Sequence, residues 1–339
     1  MLKGLSVVTW DEALRGFVLH KKAVRAKATA RWYANYCSQF VDWVKTHDLP
    51  LDCFTKRHLD EYLVFRSEAG KSATTLHHDA LTACVFMEWC KSNELISRDP
   101  LAEYKVRTAP QPHKYMPTLD DVQGLLQGIL DFYDLKKNPT AKYTPPGQRS
   151  FHRDRNYAIE ITKLDTACRI GEVFAFKVDD YQRDGSGMQL TVRQAKGRQP
   201  RILPVSKDCA EAIDQWLKVR KRVVSNIPAS EDEGWLFLSE TGTQIRDNNY
   251  LRSIKKVLVF AGLPDGINNH SQRRFSINNM AEQGGIVFAQ NMAGHKDPKT
   301  TQIYMSLTPG YLREKQEQVG VVRGVLVSGR TEKRKRMKL

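Results

Sequence analysis

The chain runs to 339 residues, of which 41% are hydrophobic, enough for two domains with separate cores. Its formal net charge of +15, from 53 basic against 38 acidic side chains, has to lie on the surface and fits a polyanionic partner, nucleic acid first. A membrane span is excluded because no apolar run approaches roughly 18 residues, and a secretory signal is not expected from MLKGLSVVTWDEAL, which has no sustained apolar core.

Residues from about 8 to 100 read as all-helical. KATARWYANYCSQFVDWVKTHDL (27–49) sets Tyr33, Tyr36, Cys37, Phe40 and Val44 at three- and four-residue steps, one stripe of a helix. TKRHLDEYLVFRSEAG (55–70) opens on a Thr55 cap and stops at Gly70. SATTLHHDALTACVFMEWCKSNEL (72–95) opens on Ser72 and sends Leu76, Leu81, Val85, Phe86 and Trp89 toward a core. Between the stripes, Lys21, Lys22, Arg25, Lys27 and Arg31 are expected to face outward and meet phosphate. RTAPQPHKYMP (107–117) carries three prolines in eleven residues and reads as an extended linker. Its Lys114 and Tyr115 are candidates for DNA contact.

The helical pattern restarts at Thr118, which with Asp120 and Asp121 opens a helix through Ile129. Residues 134–152 are polar and proline-bearing, a surface insertion, whereas 153–178 is apolar and helical on both sides of Arg169. MQLTVRQ (188–194) and RILPV (201–205) alternate like the strands of a hairpin around a glycine-bearing turn. Helices are predicted over 207–224, 246–261 and 271–283, then in short pieces from 286 to about 317. The end, SGRTEKRKRMKL (328–339), is too polar to bury and is expected to be disordered; a nuclear import signal has the same composition. Cys37, Cys53, Cys84, Cys90, Cys168 and Cys209 form neither a CxxC pair nor a zinc spacing, which favours free thiols in a reducing interior.

Four cationic segments carry the chemistry: CRIGE (168–172), AKGRQPRILPV (195–205), NHSQRR (269–274) and AGHKDPKTTQIY (293–304). Neither a metal-ligand cluster nor a nucleotide-binding loop accompanies them. Metal-free phosphodiester transfer needs fixed cations around the non-bridging oxygens, where charge grows in the transition state. It also needs a proton donor for the leaving oxygen and a nucleophile that stores the bond as a covalent ester. Arginine suits the clamp because its planar fork grips two phosphate oxygens and stays charged. His270 and Arg273 stand three apart, on one face of a helix.

Over about residues 153–310 these motifs resemble the tyrosine recombinase family, the phage integrases and Xer recombinases. The resemblance implies a mainly α fold with a small β-hairpin or sheet, arranged as a two-domain C-shaped clamp. A helical, SAM-like core-binding domain would occupy 8–104, a linker 105–117, the catalytic domain 118–320 and a basic tail 321–339. In LDTACRIGE, Arg169 corresponds to the first clamp arginine and Glu172 to the acid that braces it. Lys196 falls on the hairpin lysine that protonates the leaving oxygen, with Gly197, Arg201 and Pro204 matching the rest of that hairpin. The resemblance makes His270 an aid to proton transfer or a phosphate ligand, Arg273 the second clamp arginine, His295 a phosphate donor and Tyr304 the nucleophile. Thr300 and Thr301 would start a short helix before Tyr304, and 309–319 would dock as a helix on a neighbouring protomer. Three positions depart from the pattern: Arg274 where histidine is common, Ala293 for leucine, and Met305–Ser306 after the tyrosine.

The implied enzyme is a site-specific DNA recombinase, an integrase or mobile-element enzyme working through a 3′-phosphotyrosine. It needs no cofactor and no metal. Its implied partners are double-stranded DNA with specific recombination sites, a homotetramer on that DNA and accessory DNA-bending proteins, with no membrane and a cytoplasmic setting, nucleoid-associated if the source is bacterial. A type IB topoisomerase or telomere resolvase shares the chemistry, and a non-catalytic DNA-binding regulator shares the surface.

Overall fold

In the computed structural model, which describes residues 8–108, 115–193, 200–226, 228 and 232–294, the chain divides into two compact units at residues 113 and 114. The first is helical. Helix α1 (Trp10–Val24) starts at a capping box, in which Thr9 Oγ1 accepts from the Glu12 N–H at 3.2 Å and the Glu12 carboxylate accepts from the Thr9 N–H at 2.9 Å. Helices α2 (Lys27–Lys45), α3 (Lys56–Glu68) and α4 (Ala73–Ser92) follow. The expected stripe on α2 buries Cys37, Phe40 and Val44 against Trp10, Phe17, Tyr62 and Phe86. Edge-to-face ring pairs hold the centre, Trp10 with Phe40 at 5.7 Å and Phe17 with Phe86 at 5.1 Å.

Two expectations in this unit are corrected. Lys21 faces inward, only 8% exposed, with its Nζ 4.8 Å and 4.9 Å from the Phe17 and Tyr33 rings. Standing four residues after Phe17, it shares the buried face of α1, and a cation–π sandwich replaces the water it loses. The other four basic residues, Lys22, Arg25, Lys27 and Arg31, are exposed as expected. Leu81 is exposed, because the buried line of α4 runs through Ala80, Ala83, Met87 and Cys90 and Leu81 lies one helical step off it.

The second unit begins with α5 (Leu119–Phe132), whose Thr118–Asp121 capping box closes at 3.1 Å and 2.8 Å. Helix α6 (Pro146–Thr166) starts earlier than the sequence suggests, since proline at the first turn forfeits no helical hydrogen bond. The supposed surface insertion is therefore half folded: Asn138 is buried, its amide donating to the Phe132 carbonyl at 2.7 Å, and Phe151 enters the core. After the short α7 (Ile170–Phe174), strands β1 (Tyr181–Arg183), β2 (Met188–Val192) and β3 (Arg201–Val205) form an antiparallel sheet in that order. The β2–β3 register runs from Met188 opposite Val205 to Val192 opposite Arg201. Helices α8 (Lys207–Val224), α9 (Asp247–Phe260), α10 (Asn269–Gly284) and α11 (Ile286–Ala293) complete the described fold.

Trp216 anchors the core of this unit among Ile159, Phe176, Leu190, Leu203, Phe237 and Val257, its indole N–H donating to the Leu236 carbonyl at 2.7 Å. A smaller cluster of Ala167, Ile277, Ala281, Ala289 and Ala293 packs α10 and α11 against the end of α6. Small side chains there let three backbones approach closely. Among the described residues no helix is long and apolar enough to cross a membrane.

Candidate active site

The site grows from a break in the chain after α6. That helix ends at Thr166, and the buried Ala167 takes a left-handed conformation at φ 49°. For a residue with a Cβ that conformation costs roughly 1–2 kcal/mol, so the surroundings must enforce it. Enforcement comes from the alanine-rich cluster and from Arg273, whose guanidinium donates to the Ala167 carbonyl. The turn delivers Arg169 to the N-cap of α7, where the Glu172 carboxylate accepts its backbone N–H at 2.9 Å. Arg169 thus stands between two helices rather than at the end of one.

Helix α10 is started by Asn268, whose side-chain oxygen accepts from the N–H groups of His270 and Ser271, both at 3.0 Å. This start leaves His270 exposed in the first turn and turns Arg273 inward. Besides Ala167, the Arg273 guanidinium donates to the Ala293 carbonyl at 2.8 Å, so one side chain joins the ends of α6 and α11. Burial and the neighbouring Arg169 charge push Arg273 down to about 10, against the pull of Glu172. It stays protonated at neutral pH, a second cation beside Arg169.

Glu172 is buried under Arg201, which donates from both terminal nitrogens, at 3.2 Å and 3.1 Å. Burial alone would raise the Glu172 carboxyl, but the Arg201 hydrogen bonds, the Arg169 N–H and the charges of Arg201 and Arg273 outweigh it. The carboxyl is held below the usual carboxylate range. Cys168 is buried beside them, and burial pushes its thiol up to about 11, which makes it a protonated space filler rather than a nucleophile.

Arg169, His270 and Arg273 line a cleft of about 580 Å³ together with Tyr115, Gly266, Asn268 and Arg274. Arg274, where the family pattern commonly has histidine, donates to the Tyr115 carbonyl. The Tyr115 hydroxyl in turn donates to Asp121 at 2.5 Å, which fastens Tyr115 to the first turn of α5. Of the residues singled out in the sequence, Arg169, Glu172, His270 and Arg273 come together here. Lys196, His295 and Tyr304 lie outside the described residues, as do Lys114, Gly197, Thr300, Thr301, Met305, Ser306 and the segment 309–319. The residue that sequence reasoning passed over is Arg201, read only as part of a hairpin pattern. A signal was there: Arg201, Leu203 and Val205 alternate on one face of β3, which carries the arginine inward.

Comparison with known proteins agrees with this geometry. Residues 148–310 match the Phage integrase family. The tyrosine recombinase XerC of Shewanella amazonensis is 33% identical over 241 residues, 70% of this chain and 72% of that protein. XerC of Thermodesulfovibrio yellowstonii is 24% identical over 308 residues, 89% of this chain and 93% of that protein. Among solved structures, XerH recombinase bound to a palindromic difH substrate superposes with a TM-score of 0.67 at 15% identity, covering 93% of this chain and 85% of that one. A lambda integrase tetramer bound to a Holliday junction gives 0.65 at 18% identity, covering 89% and 78%. A guanidinium-lined cleft on this fold defines a DNA strand-transfer class of protein. The chain belongs to the phage integrase family and is a tyrosine site-specific recombinase of the XerC and XerD kind.

Proposed function

We propose that this recombinase cuts and rejoins duplex DNA at specific sites through a 3′-phosphotyrosine on Tyr304. The observation that carries the reading is the convergence of Arg169, His270 and Arg273 on one cleft. Two guanidinium groups and an imidazole beside one cavity suit a phosphate group as ligand.

In this mechanism Arg169, Arg273 and His295 hold the scissile phosphate while the Tyr304 phenol, with a free pKa near 10, gives up its proton in the cationic pocket with help from His270. The phenolate oxygen bonds to phosphorus as the bond to the 5′ oxygen breaks, and Lys196 supplies that oxygen's proton. A 5′ hydroxyl from the partner duplex reverses the step. Bond energy is kept in the ester throughout, so no high-energy cofactor enters. Two duplexes cut twice each require four protomers, and the lambda integrase tetramer on a Holliday junction is an assembly of that kind. The basic residues of 8–104 would grip DNA as the core-binding domain, and 105–117 would link it to the catalytic domain of 118–320. The DNA acted on would be that of an integrating or mobile element.

A nicked duplex cut from the DNA flanking the gene tests this. The wild-type chain should become covalently joined to it, and Tyr304→Phe should bind as tightly and form no adduct. A regulator would show neither adduct nor any effect of the substitution. A topoisomerase would relax supercoiled DNA that lacks recombination sites.

A further inference from the structure

Arg201 is a cation beside the site that the strand-transfer steps above do not use. It opens β3, opposite Val192 on β2, so its backbone is fixed in a sheet. Its guanidinium reaches out of that sheet to both oxygens of Glu172, and its Nη2 lies 3.6 Å from the Cys168 sulfur. The same guanidinium lies flat on Gly294, where an added Cβ would sit 2.9 Å from Cζ and Nη1. One side chain therefore touches the hairpin base, the arginine turn and the residue before His295.

The position of Arg169 beside this group is informative. Its Nη1 stands 3.8 Å from Glu172 Oε1, an ion-pair separation that is too long for a hydrogen bond. The carboxylate has already received two N–H groups from Arg201 and one from the Arg169 backbone. Without Arg201 the carboxylate would draw on Arg169, whose Nη1 already stands within ion-pair distance of it. An Arg169 clasped by Glu172 would present less charge and one donor fewer to phosphate.

We infer that Arg201 is a positioning residue of the recombinase: it occupies Glu172 so that the carboxylate braces Arg169 through its backbone without capturing its side chain. This rests on the phosphate-clamp reading of the cleft. It differs from a plain structural brace in one consequence. If Arg201 works by neutralising Glu172, then removing the negative charge as well should repair the loss of Arg201.

The test compares Arg201→Met with Arg201→Met/Glu172→Gln on the nicked flanking duplex, following single-turnover adduct formation and DNA binding separately. Arg201→Met should form adduct ~10²-fold more slowly, the loss typical of a disturbed electrostatic clamp, with DNA affinity held within about twofold. The double variant should regain at least ~10-fold of that rate. A double variant as slow as the single one, or slower, overturns the inference, as does an Arg201→Met enzyme with wild-type rate. A crystal structure of Arg201→Met decides the same point without any substrate. Arg169 should move within about 3.2 Å of Glu172, and an Arg169 that stays at 3.8 Å contradicts the inference. If Arg201→Met does not fold, Arg201→Lys carries both measurements, because one ammonium can satisfy one carboxylate oxygen but not both. A wild-type chain that binds the duplex yet never forms adduct refutes strand transfer itself, and the crystallographic distance still rules on Arg201.

Discussion

At the scale of single residues the site is a balance between two inward arginines and one carboxylate. Arg273 has a structural task beside any chemical one, since its guanidinium satisfies the carbonyls of Ala167 and Ala293. Arg273→Met should cost the fold about 1–3 kcal/mol for each carbonyl left dry and slow cleavage by ~10²–10³. Urea melts and adduct rates separate the two losses, and unchanged stability would refute the structural half. Glu172 gives a pH prediction of definite sign. Its folded carboxyl binds a proton less tightly than the unfolded one, so its stabilising effect is complete above about pH 4.3 and fades as pH falls through the lower folded value. Glu172→Gln should therefore lose stability at pH 7 but flatten the acid limb of the stability curve. A loss of equal size at pH 7 and pH 3 would contradict this.

Among elements, local signals were legible and non-local ones were not. The caps at Ser72 and Thr118 and the α2 stripe could be read because a helix start and a helix face are set by neighbours three or four residues apart. Strand β1 escaped notice because three residues are too few to show alternation, and it exists only as a partner for β2. Lys21 was misplaced by its charge, although its four-residue step from Phe17 pointed inward. In the site, the resemblance of the motifs to a known family pointed to Arg169, Glu172, His270 and Arg273, but the left-handed turn at Ala167 that lets Arg273 reach two carbonyls depends on three packed helices. Gly294 lies at such a junction, with φ 63° at the end of α11 and Arg201 against its Cα. Gly294→Ala should cost roughly 1–2 kcal/mol from the left-handed backbone alone and also displace Arg201, slowing adduct formation. A variant with wild-type melting temperature and rate would rule out this tight fit.

For the whole molecule, the +15 charge should appear as a steep salt dependence of DNA binding. Each exposed phosphate contact removed from Lys22, Arg25, Lys27 or Arg31 should lower the slope of log K against log salt by about 0.9. Lys21→Met, buried between two rings, should alter the stability of the first unit and leave the slope alone. An equal drop for Lys21 would mean that its side chain reaches the duplex. The central claim, that one phenol attacks a phosphate held by Arg169 and Arg273, is reached most directly by trapping the adduct, digesting it and locating the nucleotide by mass spectrometry. The account predicts a 3′-phosphoryl nucleotide on Tyr304 and on no other residue. A nucleotide on a different side chain, or one linked through a 5′ phosphate, would contradict it.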